Sequence, residues 1–423
     1  MLVLRGLSES LLANLAPDEL WRSFPRLKRT VIGIVLLSLT CVFTFIIASP
    51  FIKIADDASK DILETALSVG PTNERQQAVV NAFKHAWEGY RKYAWGHDQL
   101  KPISGGYSDW FDTGLTIVDA LDTAIIMGLK EEVAQGTEWI RNSLTFEKDR
   151  YVNLFETTIR TLGGLLSAYH LTGDRMFVAK AQDLADRLMG AFTKSKSAIP
   201  LSDVNLKTRL FDDYKTAMES MKSKLYRYSE PSQLGFVGEL LPGEIFSPKM
   251  DHLVCFLAGT LALGSKNGAP DEHMKLAQDL GRACQAMYKN PTGLGPEIAY
   301  FNMMPGVQDD LSIKPLDAHS LLRPEAIEAW FYLYRLTGDK TYQSWGWEAF
   351  TAIEKYARVK NGYSSVKSVK RIPVTHSDLM ESFFLAETLK YLYLLFADDQ
   401  TSLFPLDKWV FNTEAHPLPI YSS

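Results

Sequence analysis

Stretches that are apolar at helical spacing alternate with one-sided amphipathic stretches along most of the chain. Glu74 to Trp95 is amphipathic, and Gly114 to Met127 is apolar at helical spacing, with Asp119 and Asp122 on it. Val152 to His170 and Arg175 to Phe192 form a pair, and Glu325 to Arg335 and Lys340 to Ala357 form a second. Both pairs are joined by Leu-Thr-Gly-Asp, at 171–174 and 336–339. Gly stops the first helix of each pair and Asp caps the second. A helix that is apolar all round belongs inside, and a one-sided helix belongs outside. Further helices are predicted at 213–228, 250–264, 271–289 and 377–397, for about eleven in all, while 193–212 reads as a loop. No run of alternating residues predicts a sheet, although short hairpins inside loops escape this reading. Repeated helical hairpins of this kind stack into a solenoid or close into an α/α toroid, so the predicted class is all-α.

The N-terminal pattern differs. Val31 to Ala48 is almost wholly apolar, preceded by Arg22, Arg26, Lys28 and Arg29 and followed by Asp56 and Asp57. That length spans a bilayer near the short limit. The basic flank places the N-terminus in the cytosol and the rest in the lumen or outside. The apolar run starts too late and is too long for a cleaved signal peptide. The expected organisation is a cytosolic tail at 1–30, an uncleaved type II anchor at 31–48, a stem at 49–72 and one helical domain at 73–423.

A net charge of −5 over 423 residues gives no basic excess and excludes nucleic acid as an expected partner. Aromatic residues make up 12% of the chain, which suits both a large core and stacking on sugar rings and so decides little. Of the three cysteines, Cys41 falls in the apolar anchor. Cys255 and Cys284 remain for a luminal domain, where a disulfide is permitted and two buried thiols are the alternative. A zinc site from His252, Cys255 and Cys284 is a third option, without the usual ligand clustering. CxxC, HExxH, P-loop and GxGxxG motifs are absent, as are Asn-x-Ser/Thr sequons.

Candidate chemistry lies in acids set into apolar helices. In Leu322-Arg323-Pro324-Glu325-Ala326-Ile327-Glu328, the proline suits a first helical turn, and Glu325 and Glu328 share a face. Such acids are costly in an apolar helix unless paired, wet or bound to an ion. Taken alone, they could simply complement the helix dipole. The layout recurs, however, as Glu156 and Arg160 ahead of Leu162-Gly163-Gly164-Leu165-Leu166, and as Phe383 and Glu387 in a further apolar stretch. Near the C-terminus stands Asn412-Thr413-Glu414-Ala415-His416. Several helix ends are therefore expected to converge on one acidic pocket.

Together these segments resemble glycoside hydrolase family 47, the class I α-1,2-mannosidases. The resemblance is carried by Gly114 to Thr123, Phe155 to Leu166, Lys249 to Phe256, Leu322 to Glu328, Ser382 to Leu395 and Phe411 to Pro417, in that order, and runs from about Glu74 to the C-terminus. The segment around His252 is most similar to the endoplasmic-reticulum branch, which trims Man9GlcNAc2. The resemblance implies an (α/α)7 barrel with Ca²⁺ at its base and hydrolysis of terminal α-1,2-linked mannose from high-mannose N-glycans with inversion. It implies Glu325 as general base and Glu156 as an acid acting through water, tuned by Arg160. Arg323, Glu328, Glu387 and Glu414 would hold sugar hydroxyls or calcium-bound waters, with His252 also on the substrate side. Phe383 would stack under the terminal mannose, and Thr413 would bind calcium through its hydroxyl and carbonyl oxygens. Cys255 and Cys284 match the family's disulfide. A luminal domain anchored in the endoplasmic reticulum or Golgi membrane agrees with that membership.

The chain also departs from the family. Between Asp203 to Thr208 and Asp213 to Met218, the resemblance calls for about a hundred further residues. In the family these include a hairpin with a substrate-binding glutamate and a Gly-Ala-x-x-Asp-Ser-Tyr-Tyr-Glu-Tyr segment. The aspartate of that segment is a leading candidate for a catalytic acid. Seven hairpins need fourteen helices, so the barrel is expected to be incomplete. Loss of the acid would leave a lectin-like relative that binds mannose glycans without cleaving them. Smaller departures are Ala258, where the family usually has proline, and Ala326 and Ala329 beside the expected base.

Overall fold

The computed structural model describes residues 70–147, 152–188, 210–398 and 403–420. The expected tail, anchor and most of the stem lie outside these residues, as does most of the 193–212 loop. Among the described residues, no helix is long and apolar enough to cross a membrane.

Eleven helices form within the described residues. They are α1 Glu74–Tyr93, α2 Leu115–Ile126, α3 Lys130–Asn142, α4 Leu154–Thr157 continuing through Thr158–Leu162 to Gly163–Thr172, and α5 Arg175–Leu188. Then come α6 Leu210–Lys224, α7 Phe256–Lys266, α8 Glu272–Met287, α9 Glu325–Thr337, α10 Thr341–Tyr356 and α11 Phe384–Thr388 continuing as Leu389–Leu395. The repeated tetrapeptides act as expected. Gly173 and Gly338 adopt φ of 71° and 74°, and Asp174 and Asp339 accept hydrogen bonds from the amides of Met176 and Thr341 at 2.9 Å.

The sequence pattern did not predict α3. Its N-cap position is Leu129, which offers no side-chain cap, and it carries Gly136 inside, so both of the usual signals are weak. Short strands also form where none was expected, chiefly as two-residue to four-residue hairpin arms between helices. The largest sheet joins Lys249–Asp251, Ile298–Phe301 and Leu311–Ser312, antiparallel throughout.

The layering follows apolar character. All twelve residues of α2 are buried, as is every residue of Leu389–Leu395, whereas α3, α8 and α10 bury one side. Inner helices pack in the order α4, α2, α11, α9, α7, and each carries an outer partner: α5, α3, α1, α10 and α8 respectively. Because α1 backs α11, the two ends of the domain sequence meet in the middle of this arc. Among the described residues, the outermost inner helices α4 and α7 make no comparable packing with each other. The described residues therefore form an open arc of five inner helices, against the seven that the resemblance implies. The gap falls between α5 and α7, around the position where the sequence lacks its segment.

Candidate active site

The N-terminal ends of α4 and α9, the start of α11 and the C-terminal turn bring the predicted residues together. Glu325, on the first turn of α9, lies 2.9 Å from Nδ1 of His252, whose Nε2 is 3.0 Å from the Tyr288 hydroxyl. His252 sits in a single helical turn, His252–Cys255, that leads into α7. Cys255 is bonded to Cys284 across α7 and α8, which excludes the zinc alternative. His252 is thereby a partner of the Glu325 carboxylate.

Arg323 reaches the site because Leu322 before it adopts φ 62°, a left-handed conformation that redirects the chain into α9. Thr388 donates to the Leu322 carbonyl at 2.8 Å and ties this corner to α11. The Arg323 guanidinium donates to Glu297 at 2.7 Å, lies 3.8 Å from Glu325 and covers the Phe383 ring at 5.5 Å. Phe383 immediately precedes a π-helical turn, Phe384–Thr388, and Glu387 lies within it. A second π-helical turn, Thr158–Leu162, carries Arg160. Such wide turns displace side chains from ordinary helical register and recur at functional sites.

On the other wall, Arg160 donates to Glu156 at 2.8 Å and to Glu414, with Asp119 at 3.8 Å. Burial opposes its charge, but Glu414, Asp119 and Glu156 outweigh that and hold the guanidinium protonated. Glu328, one turn beyond Glu325, accepts from the Tyr391 hydroxyl at 3.2 Å.

The two walls meet at Glu387. Burial raises its carboxyl well above the ordinary range, and the charges of Glu414, Glu325 and Glu328 add to the rise, with Arg160 opposing. Glu414 is raised likewise by burial and then by Asp119. Glu328 is pushed up to about 8 by burial and the charge of Glu325. The pocket thus holds more buried carboxylate than its two arginines neutralise.

Thr413 lies in the turn 412–416 next to Glu414. It is solvent-exposed, and among the described residues no hydrogen bond engages its hydroxyl or carbonyl oxygen. No set of three or more carboxylate, imidazole or thiolate side chains among the described residues is arranged to grip an ion. A hydroxyl and a carbonyl beside uncompensated carboxylates suit a hard cation that keeps part of its water shell.

The sequence reading missed Glu297, Tyr288, Tyr391, Asp119 and Glu381 as members of the site. Glu381 accepts from the Gln99 side chain at 2.6 Å; burial raises its carboxyl, with Arg323 and Arg160 opposing. Glu297 and Glu381 lie in non-helical segments where periodicity carries no signal. Gly295-Pro296-Glu297, an acid after two chain breakers, is the one local cue.

Several buried carboxyls that act on one another at the inner-helix ends, beside an arginine-covered aromatic ring, are the equipment of a glycoside hydrolase. The model for "Glycosyl hydrolase family 47" matches residues 82–211 and 207–420, two pieces that meet at the expected break. The chain belongs to this family. It is 44% identical over 456 positions to the endoplasmic reticulum mannosyl-oligosaccharide 1,2-alpha-mannosidase of Rattus norvegicus, covering 83% of this chain and 69% of that protein. Since 83% of 423 residues is about 351, about 105 of those 456 positions have no counterpart here. A mannosyl-oligosaccharide 1,2-alpha-mannosidase of Candida albicans is 36% identical, covering 83% of this chain and 84% of that protein. The solved alpha-1,2-mannosidase from Trichoderma reesei superposes with a TM-score of 0.72 at 25% identity, covering 83% of this chain and all of that one.

Proposed function

We propose that this chain hydrolyses terminal α-1,2-linked mannose from high-mannose N-glycans, with inversion and with calcium bound at Thr413. The supporting observation is the charge cluster in which Glu387 feels Glu414, Glu325, Glu328 and Arg160, with Arg323 3.8 Å from Glu325 and over the Phe383 ring. The mannosidase names of the relatives agree with it.

Phe383 stacks on the apolar face of the terminal mannose, and Arg323, fixed by Glu297, fits sugar hydroxyls above that ring. Glu325, oriented by His252, takes a proton from the attacking water as general base. Inversion needs room for that water, hence carboxyls roughly 6.5–9.5 Å apart. Glu156, paired with Arg160, delivers the leaving-group proton through a water. Glu328, Glu387 and Glu414 hold sugar hydroxyls or cation-bound waters. Calcium, when bound, supplies positive charge that binds sugar oxygens and offsets this acidic wall. The 31–48 run is the proposed type II anchor, which places the domain in the lumen of the endoplasmic reticulum or Golgi.

The open arc favours a second reading, glycan binding without turnover, because the segment lost at the gap is the one in which the family carries a candidate acid. Incubating the full chain with a Man9 oligosaccharide, with calcium and with EDTA, separates the two. Calcium-dependent release of free mannose supports hydrolysis. Glycan binding with no release supports the second reading.

A further inference from the structure

We propose that Lys390, Asp122 and His416 are positioning residues for the cation site, locking the 412–416 turn and so setting its affinity for calcium. The inference rests on the reading of Thr413 as the cation's protein ligand. Within the turn, the Asn412 side-chain oxygen accepts from the amides of Glu414 and His416, both at 2.9 Å. Ala415 adopts φ 58°, and its carbonyl accepts from Lys390 Nζ at 2.8 Å.

Lys390 is fully buried on α11, an expensive place for an ammonium group. Its charge is met by Asp122 Oδ1 at 2.7 Å. Asp122 Oδ2 lies 2.7 Å from His416 Nδ1 and accepts from the Ser167 hydroxyl at 2.8 Å. The other imidazole nitrogen lies 3.2 Å from Asp119 Oδ1. Asn412 also donates to the Ile159 carbonyl, in the π-helical turn of α4, at 2.9 Å. Three inner helices, α2, α4 and α11, therefore hold the turn through one closed set of charges.

The set leaves one residue of the turn out. Asn412, Glu414, Ala415 and His416 are each tied down, while the oxygens of Thr413 make no hydrogen bond among the described residues. Gly163 and Gly164 make room for this arrangement, since a Cβ on either would run into Asn412, His416 or the Val118 carbonyl. Stability alone is often served as well by apolar packing of similar volume. What the charged set adds is a fixed direction for the two free oxygens. Groups that orient ligands in this way typically change metal affinity by about ten to a hundredfold when removed.

The test is calcium titration of the full chain by calorimetry, with thermal melts in EDTA and in calcium. Lys390→Met keeps the bulk and removes the charge. It should raise the calcium Kd at least about tenfold and shrink the calcium-induced rise in Tm. Ser167→Ala is a milder probe for the case in which Lys390→Met does not fold, and should raise Kd a few-fold. Variants that melt lower in EDTA but bind calcium with unchanged Kd would overturn the proposal and leave a purely structural brace. Thr413→Val tests the underlying reading separately. Thr413→Val removes the hydroxyl and keeps the carbonyl, so it should weaken binding; an unchanged calcium Kd in this variant would locate the ion elsewhere and end both, as would failure of the unmodified chain to bind calcium.

Discussion

The imidazole of His252 bridges the Glu325 carboxylate, 2.9 Å from Nδ1, and the Tyr288 hydroxyl, 3.0 Å from Nε2. A carboxylate can only accept, so the hydrogen bond at Nδ1 is donated by the ring to Glu325, which fixes the carboxylate's rotamer. His252→Ala is expected to lower kcat on a Man9 oligosaccharide by about ten to a hundredfold with a small change in KM. Glu325→Gln, which removes the proposed base, should cost about a thousandfold or more. Steady-state rates of mannose release check both, and a His252→Ala enzyme that changed only in KM would contradict the orienting role.

Stability should depend on pH through His416. Burial alone would lower its pKa, but Asp122 raises it to about 9, above the ordinary value near 6.5. Its contribution is therefore complete below about pH 6.5 and is lost as pH rises through about 9. Asp122 acts in the opposite sense. Burial would raise its pKa, yet Lys390 and His416 hold it below its ordinary value, so its contribution is present above about pH 4 and fades in acid. Melts in EDTA should show Tm falling between pH 7 and 9.5. His416→Gln should melt roughly 10 °C lower at pH 6 and lose most of that alkaline decline.

Asp98 anchors the loop that leads into α2. Its carboxylate is fully buried and accepts from five amides: those of Trp110, Phe111 and Asp112 on one oxygen and those of Thr113 and Leu115 on the other. Asp98→Ala would strand these donors and should cost about 4 kcal/mol, measured by denaturant unfolding.

The bond between Cys255 and Cys284 closes a loop with a sequence separation of 29. By the chain-entropy account, its removal in a Cys255→Ala, Cys284→Ala double variant should cost about 3 to 4 kcal/mol. Comparing unfolding of that variant with the oxidised chain checks the figure.

Much of the fold was legible because its repeat is punctuated: Leu-Thr-Gly-Asp marks two hairpin turns directly. The missing hairpins were legible through the resemblance alone, as nothing in the periodicity near 209 signals a gap. Local sequence could not show the π-helical turns under Arg160 and Glu387, since a one-residue shift of register is too small to stand out in stretches this short. Lys390 reads as an ordinary polar position in an apolar helix. Its role depends on Ala415 and Asp122, which are remote in sequence and adjacent only after folding. Tyr288 and Tyr391 lie in segments read only as helices, and burial fits their rings to a core. Only their hydroxyls belong to the site.

In a closed ring every inner helix is clasped from both sides. Here α4 and α7 each have a single inner neighbour among the described residues, which makes them the two lips of a clamp. The lips are not alike. One is stapled, because Cys255 at the start of α7 is bonded to α8. The other lacks such a staple, and it is the lip that carries Glu156. Glu325 sits on α9, one position in from the stapled lip. The proposed acid and the proposed base thus ride on parts of unequal stiffness. In a stack held by nearest neighbours the ends loosen first, so catalysis would lose its acid to local fraying well before it lost its base.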